Sequence, residues 1–334
     1  MPESRFAPFG RFRRSHEFWL LIVILALCAS LGVANGQFLT MQNLFDLLTS
    51  YAFVGILALG LLVVLIAGGI DISFTATASV AQYVTLAVAN AYGANWISVI
   101  AIAIGIGGAL GALNAIFIQK LRIPSIIVSV ATLNIFYGLL IFFTGGKYIY
   151  SLPDWFSTGI FWFEFDWGKD SSYGVNLQIL MLGLGFLVTW LLLNRGNIGR
   201  QVYAMGGNPD AAQRLGFHTF GLNMLVYCYM GAMAGVASLV QAQLAQSVAP
   251  TVLVGKELDV VAAVVLGGAS LAGGVGTVFG TFLGLTLLAV LQNGLVLLGV
   301  SSYWSPLFVG LVILISVSVT AWSQRERRAR RVRA

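Results

Sequence analysis

Long apolar runs, separated by short polar segments, divide the 334 residues of this chain. A helix that spans a membrane needs about 20 predominantly apolar residues. One of the apolar runs, 258–274, is short and rich in glycine, so a re-entrant or broken segment is the alternative to a full span at that position. The pattern predicts an all-α fold, a polytopic bundle of about ten transmembrane helices at 17–35, 51–70, 73–92, 95–118, 125–143, 176–194, 221–243, 258–274, 277–298 and 304–323.

Composition strengthens the membrane assignment. The chain is 58% hydrophobic and 9% charged, whereas soluble domains carry about 25% charged residues. Its 39 glycines favour close contacts between membrane helices. We therefore expect a single transmembrane domain over 1–334, with the helical bundle at 17–323.

The basic residues predict how the bundle is oriented. Positive residues favour the cytoplasmic side of a membrane, so an even number of spans places both termini in the cytoplasm, with a basic tail at 324–334. A basic tail that adjoins a span does not indicate a nucleic acid partner. The segment 195–220 is then a cytoplasmic loop, and the more acidic segment 144–175 lies outside. The residues that carry this prediction are Arg5, Arg11, Arg13, Arg14, Lys120, Arg122, Arg195, Arg200, Arg214, Arg325, Arg327, Arg328, Arg330, Arg331 and Arg333.

Aromatic residues are concentrated at 155–167 in the outer loop. Aromatic side chains form belts at the two surfaces of a membrane, but they are also enriched where proteins bind one another. Either an interfacial belt or a docking surface for an external partner is consistent with this loop.

Asp71 ends the apolar run 51–70 and follows the pair Gly68 and Gly69. A carboxylate in a membrane segment is costly and usually faces a cavity or an interior partner. Asp71 either belongs to a solute pathway or caps the next helix. The run Val64–Ser73 is echoed by the glycine-rich run Val264–Leu271, and paired glycine-interrupted segments point to the pathway of a transporter.

Uncharged polar residues are scattered through the other apolar runs. They could hydrogen-bond a neutral, hydroxyl-rich solute, but hydrogen bonding between helices is the alternative for each Asn or Gln. Lys256, Glu257 and Asp259 form a charged cluster that we expect at the outer boundary. The candidate pathway residues are Gly68, Gly69, Asp71, Ser73, Asn114, Gln243 and Asn293.

The cytoplasmic loop contains a short helix, predicted at 209–215. Asn208 suits the N-cap, Pro209 the first helical position and Asp210 the positive end of the helix dipole. Gly216 supplies the C-terminal stop. A plain surface helix is the alternative to a functional one.

The sequence lacks the motifs of several classes of enzyme and binding site. The chain has no phosphate-binding loop and no hydrolase or metalloprotease motif. With two histidines and two cysteines far apart, we expect no metal site, no catalytic residues and no cofactor bound by this chain, and we interpret Cys28 and Cys228 as free thiols. A proton- or ion-coupled carrier would show more intramembrane charge, although a self-sufficient secondary carrier or facilitator remains the main alternative.

Three motifs together resemble the permease subunits of bacterial ABC importers for monosaccharides, the ribose-type branch. Gly68–Ser73 is similar to that branch's Gly-Gly-Ile-Asp-Leu-Ser signature, and Gly199–Ala212 followed by Gly216 to its cytoplasmic coupling loop. Val261–Gly284 resembles its second glycine-rich block. Phe74 stands where the branch usually has Val-Gly after the serine, and Thr144–Ile149 is similar to permeases for autoinducer-2 and rhamnose-like sugars. The sugar therefore stays open.

The resemblance implies a multi-pass protein of the bacterial inner membrane that works with three kinds of partner. These are a cytoplasmic ABC ATPase subunit, which binds ATP and Mg, a periplasmic sugar-binding protein, and a second permease copy or paralogue. The segment 144–175 would be a periplasmic loop. The short helix would be the coupling helix that contacts the ATPase through Asn208, Pro209, Asp210, Ala211, Ala212, Arg214 and Gly216.

Overall fold

The computed structural model describes residues 16–158, 161–166, 172–312 and 314. The arginines at 5–14 and 325–333, the tail 324–334 and the second half of the predicted helix 304–323 lie outside these residues. Residues 305–312 are helical. The other helices are α1 His16–Ala34, α2 Met41–Ser50, α3 Ala52–Ile66, α4 Phe74–Tyr92, α5 Trp96–Leu121, α6 Ser125–Thr144, α7 Asp154–Ser157, α8 Leu177–Trp190, α9 Asn197–Gly207, α10 Pro209–Arg214, α11 Thr219–Ala245, α12 Glu257–Leu266 and α13 Val278–Leu297.

Within the described residues the fold is all-α apart from an isolated bridge between Ile149 and Val248 and a small antiparallel hairpin of β1 Phe161–Asp166 and β2 Ser172–Asn176. Among the described residues, six helices are long and apolar enough to cross a membrane, namely α1, α5, α6, α11, α13 and α8 with its π-helical extension to Arg195. The pair α2 and α3, bent by 51°, makes a seventh if it counts as one span. The count of ten spans and the cytoplasmic position of both termini stay predictions.

Two predicted runs differ from the observed helices. The run 51–70 is only the second half of the bent pair, because α2 is an amphipathic helix whose polar face hid it from a hydropathy pattern. The run 258–274 contains α12, which has ten residues and is followed by a loop. That length is too short for a span, in line with the broken-segment alternative.

The two ends of the bundle are defined by contacts between helix ends. At the α10 end, His16 Nε2 lies 2.8 Å from the Leu266 carbonyl oxygen, so α1 begins where α12 ends. At the hairpin end, Asn35 donates to the Leu297 carbonyl oxygen and Asn176 donates to Thr49 Oγ1. Trp155 and Phe156 of the loop 144–175 pack against Trp96 at this end, and Phe156 is fully buried. Phe156 thus belongs neither to a belt nor to a free docking surface.

Helix α3 lies at the centre, and all 15 of its residues are buried. Its surface is apolar on every side, as expected for a helix enclosed by others. The neighbours that enclose it are α8, α11, α12 and α13. The two longest helices in the described part of the chain, α5 and α11, pack with their backbones in contact, because a Cβ on Gly107 would lie 2.0 Å from the Gly231 carbonyl oxygen. Small residues permit this approach in membrane bundles.

Candidate functional site

Asp71 lies in the loop between α3 and α4 and is 2% exposed. Its Oδ1 accepts hydrogen bonds from the Ser73 backbone N–H at 2.8 Å and from the Ser73 hydroxyl at 2.7 Å. Asn114 of α5 donates to Ser73 Oγ at 2.7 Å. The carboxylate therefore supports the residue that precedes α4, and it also sits in a buried polar network that joins this loop to α5. Both sequence interpretations of Asp71 remain compatible with this geometry.

The glycine loop that precedes Asp71 borders a cleft of about 700 Å³ at the α10 end, which Gly68 and Gly69 help to line. The Ile70 N–H donates to Ser125 Oγ at 2.9 Å, which fixes the glycine loop against the start of α6. Asn114 Oδ1 is buried and has no hydrogen-bond partner among the described residues. The cleft separates the glycine loop from α10, and its polar lining includes Gln119, Arg122, Ser125, Asp210, Gln213, Asn223 and Tyr227.

Helix α10 forms where the sequence predicts a short helix. Asn208 Oδ1 accepts from the Ala211 N–H at 3.0 Å, and Pro209 occupies the first turn. Gly216 has a φ of +83°, a conformation that few other residues adopt without strain. Asp210 and Arg214 occupy the first and last turns, where their charges suit the helix dipole. Within 208–216 only Ala212 is buried, so α10 shows nearly all of its surface to solvent.

Gly206, at the end of α9, joins α10 to both glycine-rich blocks. A Cβ on Gly206 would lie 1.7 Å from the Ile66 carbonyl oxygen and 2.8 Å from the Gly274 nitrogen. The Gly274 N–H donates to that same Ile66 carbonyl at 2.9 Å. Gly68 Cα lies 2.7 Å from where a Cβ on Gly273 would be. We name this backbone contact of Ile66, Gly68, Gly206, Gly273 and Gly274 the glycine junction.

The two glycine-rich blocks end their helices in the same way. After α3, the Gly68 and Gly69 N–H groups donate to the carbonyls of Leu65 and Val64. After α12, residues 268 and 269 repeat these two bonds with 265 and 264. This is the Schellman pattern of a helix C-terminus. The internal echo in the sequence therefore corresponds to a repeated local structure, and the two copies meet at the glycine junction.

Helix α9 also fastens the junction through a side chain. The Tyr203 hydroxyl donates to the Gly276 carbonyl oxygen at 2.7 Å, beyond the second glycine-rich block. Burial raises the pKa of the Tyr203 phenol, so the group remains a neutral donor. Hydropathy gave no sign of α9, and the sequence signal that could have found it is the amphipathic spacing of Val202 and Met205, both buried.

Two predicted pathway residues lie far from Asp71. Gln243 of α11 is 1% exposed and accepts a hydrogen bond from Gln178 of α8. Asn293 of α13 exchanges two hydrogen bonds with Asn43 of α2, at 2.9 and 3.2 Å. Both pairs connect helices near the hairpin end, which is the alternative stated for such residues. The structure thus brings Gly68, Gly69, Asp71, Ser73 and Asn114 together and keeps Gln243 and Asn293 apart from them.

No three His, Cys, Asp or Glu side chains within the described part of the chain are grouped as a metal site would require. Cys28 and Cys228 are free and half-buried. The polar groups of the cleft and the Asp71 network are hydroxyls, amides, the carboxylates of Asp71 and Asp210 and the Arg122 guanidinium. Such groups can hydrogen-bond a neutral polar solute or fasten helices to one another.

The family model that matches residues 43–317 is described as "Branched-chain amino acid transport system / permease component". Three relatives resemble nearly the whole chain. The ribose import permease protein RbsC of Escherichia coli (strain K12) is 32% identical and covers 90% of this chain and 92% of its own. The L-arabinose ABC transporter permease protein AraH of Azospirillum brasilense is 30% identical over 99% and 96%. The autoinducer 2 import system permease protein LsrC of Yersinia enterocolitica is 32% identical over 91% and 84%.

No solved structure matches the chain. The match to the family model includes the Asp71 loop, α10 and both glycine-rich blocks. The relatives are membrane permease subunits of importers and not enzymes themselves. With a family match over most of its length and relatives above 30% identity over nine-tenths of it, this multi-pass membrane chain belongs to the family of importer permease components.

Proposed function

We propose that the chain is the transmembrane permease subunit of a bacterial inner-membrane ABC importer that moves a monosaccharide or sugar-like solute into the cytoplasm. The relatives named for ribose, L-arabinose and autoinducer 2 support this solute class. In this proposal the α10 end faces the cytoplasm and the hairpin end faces the periplasm. A separate ATPase subunit binds ATP and Mg, a periplasmic binding protein delivers the solute, and a second permease copy or paralogue completes the pathway.

The observation that carries the proposal is the link between an exposed helix and two buried segments. Helix α10 buries only Ala212 among residues 208–216, so most of its surface is free for a partner. Gly206, three residues before it, touches Ile66 and Gly274 backbone to backbone. Close-packed backbones cannot compress, and they transmit displacement. A partner that moves α10 therefore also moves the ends of α3 and α12.

The proposed cycle is alternating access. ATP binding draws the two ATPase subunits together, and their movement shifts α10 in each permease. The glycine junction then changes the position of the Asp71 loop beside the 700 Å³ cleft, and the route opens toward the binding protein. Hydrolysis and product release return it to the inward state. Gly68, Gly69, Asp71, Ser73 and Asn114 form the part of the route nearest the α10 end.

The test is reconstitution of the permease in liposomes with the ATPase and the binding protein. The measurement is uptake of radiolabelled ribose, arabinose or an autoinducer-2-type sugar. We expect uptake only when all components and ATP are present. Asp210→Lys and Gly216→Leu should lower uptake at least tenfold while the ATPase still hydrolyses ATP. The control is Asp46→Lys, which makes the same charge change on an exposed residue of α2 at the hairpin end. This variant should retain the coupling of ATP hydrolysis to uptake through α10.

Two results would contradict the proposal. Wild-type uptake by both the Asp210 and Gly216 variants would remove α10 from the coupling mechanism. Uptake by the permease alone, lost when an ion gradient is dissipated, would establish a secondary carrier instead.

A further inference from the structure

Lys256, Glu257 and Asp259 lie at the start of α12, and two distances along helices give the depth of this charged cluster. Helix α12 has ten residues and ends at Leu266, next to the first residue of α1. At 1.5 Å per residue its start is about 15 Å from the α10 end. The hydrocarbon core of a bilayer is about 30 Å thick. With one membrane surface at the α10 end, this distance places the cluster near the middle of the membrane rather than at the outer boundary expected from the sequence.

A second distance gives a similar depth. The Thr75 hydroxyl donates to Glu257 Oε1, and Thr75 is the second residue of α4, two residues after Ser73. Ser73 Oγ accepts from Asn114 of α5, seven residues before α5 ends at Leu121. Seven helical residues span about 10 Å. The route through α4 and α5 thus agrees with the route through α12 to within about one helical turn.

The members of the cluster have different tasks. Both carboxylate oxygens of Glu257 are engaged, one by Thr75 and the other by the Gly255 N–H at 2.8 Å. Glu257 therefore fastens α12 to α4. Lys256 Nζ and Asp259 Oδ2 are 3.7 Å apart, and their side chains are 54% and 27% exposed on this chain. Their separation exceeds an ordinary hydrogen bond, so both groups retain free donors and acceptors.

Exposed charges at this depth cannot face lipid. Charged side chains in the membrane interior face a water-filled cavity or a protein partner, because the hydrocarbon core does not solvate them. Helix α6 offers an apolar residue at a similar depth for comparison. Ile135 is ten residues from the start of α6, and so at a comparable depth, and it is 53% exposed.

Polar pairs also join helices toward the hairpin end. The Tyr51 hydroxyl donates to Gln292 Oε1 at 2.7 Å. The next residue of α13, Asn293, bonds with Asn43 of α2. Tyr51 marks the bend between α2 and α3. Hydrogen-bonded pairs therefore join α13 to α2 and to the bend at Tyr51.

We propose that Lys256 and Asp259 line the solute route and hydrogen-bond the hydroxyl groups of the sugar half-way across the membrane. This inference rests on the proposed function. The ammonium offers three donors and the carboxylate offers acceptors, which together match neighbouring hydroxyls that both donate and accept. Their charges cancel, so the pair suits a neutral polyol. Glu257 acts as a positioning residue, since it holds the start of α12 against Thr75.

The test is cysteine labelling in the complete importer, with ATPase and binding protein, after Cys28→Ala and Cys228→Ala. A membrane-impermeant charged thiol reagent reacts only where water reaches. We expect Lys256→Cys to react, and saturating ribose, arabinose or autoinducer-2-type sugar, whichever the wild type transports, to slow that reaction at least fivefold. The matched control is Ile135→Cys, which should remain unlabelled. Lack of reaction at Lys256→Cys in every nucleotide state would overturn the inference, because a second copy would then seal this surface.

Transport gives the second measurement. Lys256→Met and Asp259→Asn should each lower uptake about tenfold, since each removes a charge-assisted hydrogen bond to the solute, and Lys256→Arg should restore part of it. Labelling without protection by sugar, together with wild-type uptake in both variants, would also overturn the inference. A failure of the proposed function is distinguishable, because the unmodified importer would then move none of the sugars.

Discussion

The two ends of the bundle differ in the contacts that hold their helices together, which are backbone contacts at one end and side-chain hydrogen bonds at the other. At the α10 end, the glycine junction joins backbone to backbone, and Ile66, Gly206 and Gly274 meet without side chains between them. Toward the hairpin end, the helices are joined by side-chain pairs such as Asn43–Asn293 and Gln178–Gln243. A backbone contact has no rotamers with which to adapt, whereas an amide pair can rearrange. We therefore expect the α10 end to transmit movement and the hairpin end to tolerate it.

The largest effect should come from breaking the glycine junction. In Gly206→Ala the new Cβ would lie 1.7 Å from the Ile66 carbonyl oxygen, and backbone on both sides leaves nowhere to move. Overpacking of this kind costs about 1–3 kcal/mol and sometimes more. We expect loss of uptake and a lower unfolding midpoint in detergent, measured by thermal denaturation and by the liposome assay.

Gly207→Ala is the matched control for that prediction. No atom lies within 4 Å of a Cβ on Gly207, and alanine is a better helix former than glycine. This variant should match the wild type in both assays. Equal uptake and equal unfolding midpoints in Gly206→Ala and Gly207→Ala would show that the backbone contact at Gly206 does not transmit movement of α10.

A smaller effect should follow at Asp71. Asp71→Ala leaves the buried Ser73 N–H and hydroxyl without their acceptor, which costs about 1–3 kcal/mol for each buried group left unpaired. Asp71→Asn keeps an Oδ1 acceptor and removes only the charge. We expect uptake to fall strongly in the alanine variant and less in the asparagine variant. Full activity and normal abundance of Asp71→Asn would show that Asp71 only caps α4.

The smallest effect should come from an amide pair at the hairpin end. Asn43→Ala, Asn293→Ala and the double variant form a thermodynamic cycle that isolates their interaction. Hydrogen bonds between membrane helices are worth about 0.6 kcal/mol on average, so we expect a coupling energy of that size from unfolding in detergent and nearly normal uptake. A coupling energy above about 2 kcal/mol would exceed the range for such pairs and would remove the contrast between the two ends.

Sequence reasoning succeeded where local chemistry decides the structure. The boundaries of α11 were predicted at 221–243 and observed at Thr219–Ala245. The short helix was predicted at 209–215 and observed at Pro209–Arg214, because its cap and stop lie within a few residues. The echo between the two glycine-rich blocks also found a matching pair of helix ends.

The sequence alone does not give the depth of a residue along the bundle or its hydrogen-bond partners, because both depend on tertiary packing. Hydropathy cannot show how far the charges of α12 lie from the α10 end, because that distance follows from the short length of α12 and from the bond between Glu257 and Thr75. The sequence placed Gln243 and Asp71 in one candidate set, whereas Gln243 bonds with Gln178 near the hairpin end and Asp71 bonds with Ser73. The contact of Gly206 with Ile66 joins residues 140 positions apart, a relation that no local pattern carries.

The complete enclosure of α3 also bears on how the protein responds to its membrane. All 15 of its residues are covered by other helices, so this segment has no direct contact with acyl chains. Changes in bilayer thickness act on helices through the lipid that touches them. We therefore expect the segment that carries the Asp71 loop to keep its position when a cell remodels its lipids with temperature, while outer helices such as α1 adjust their tilt.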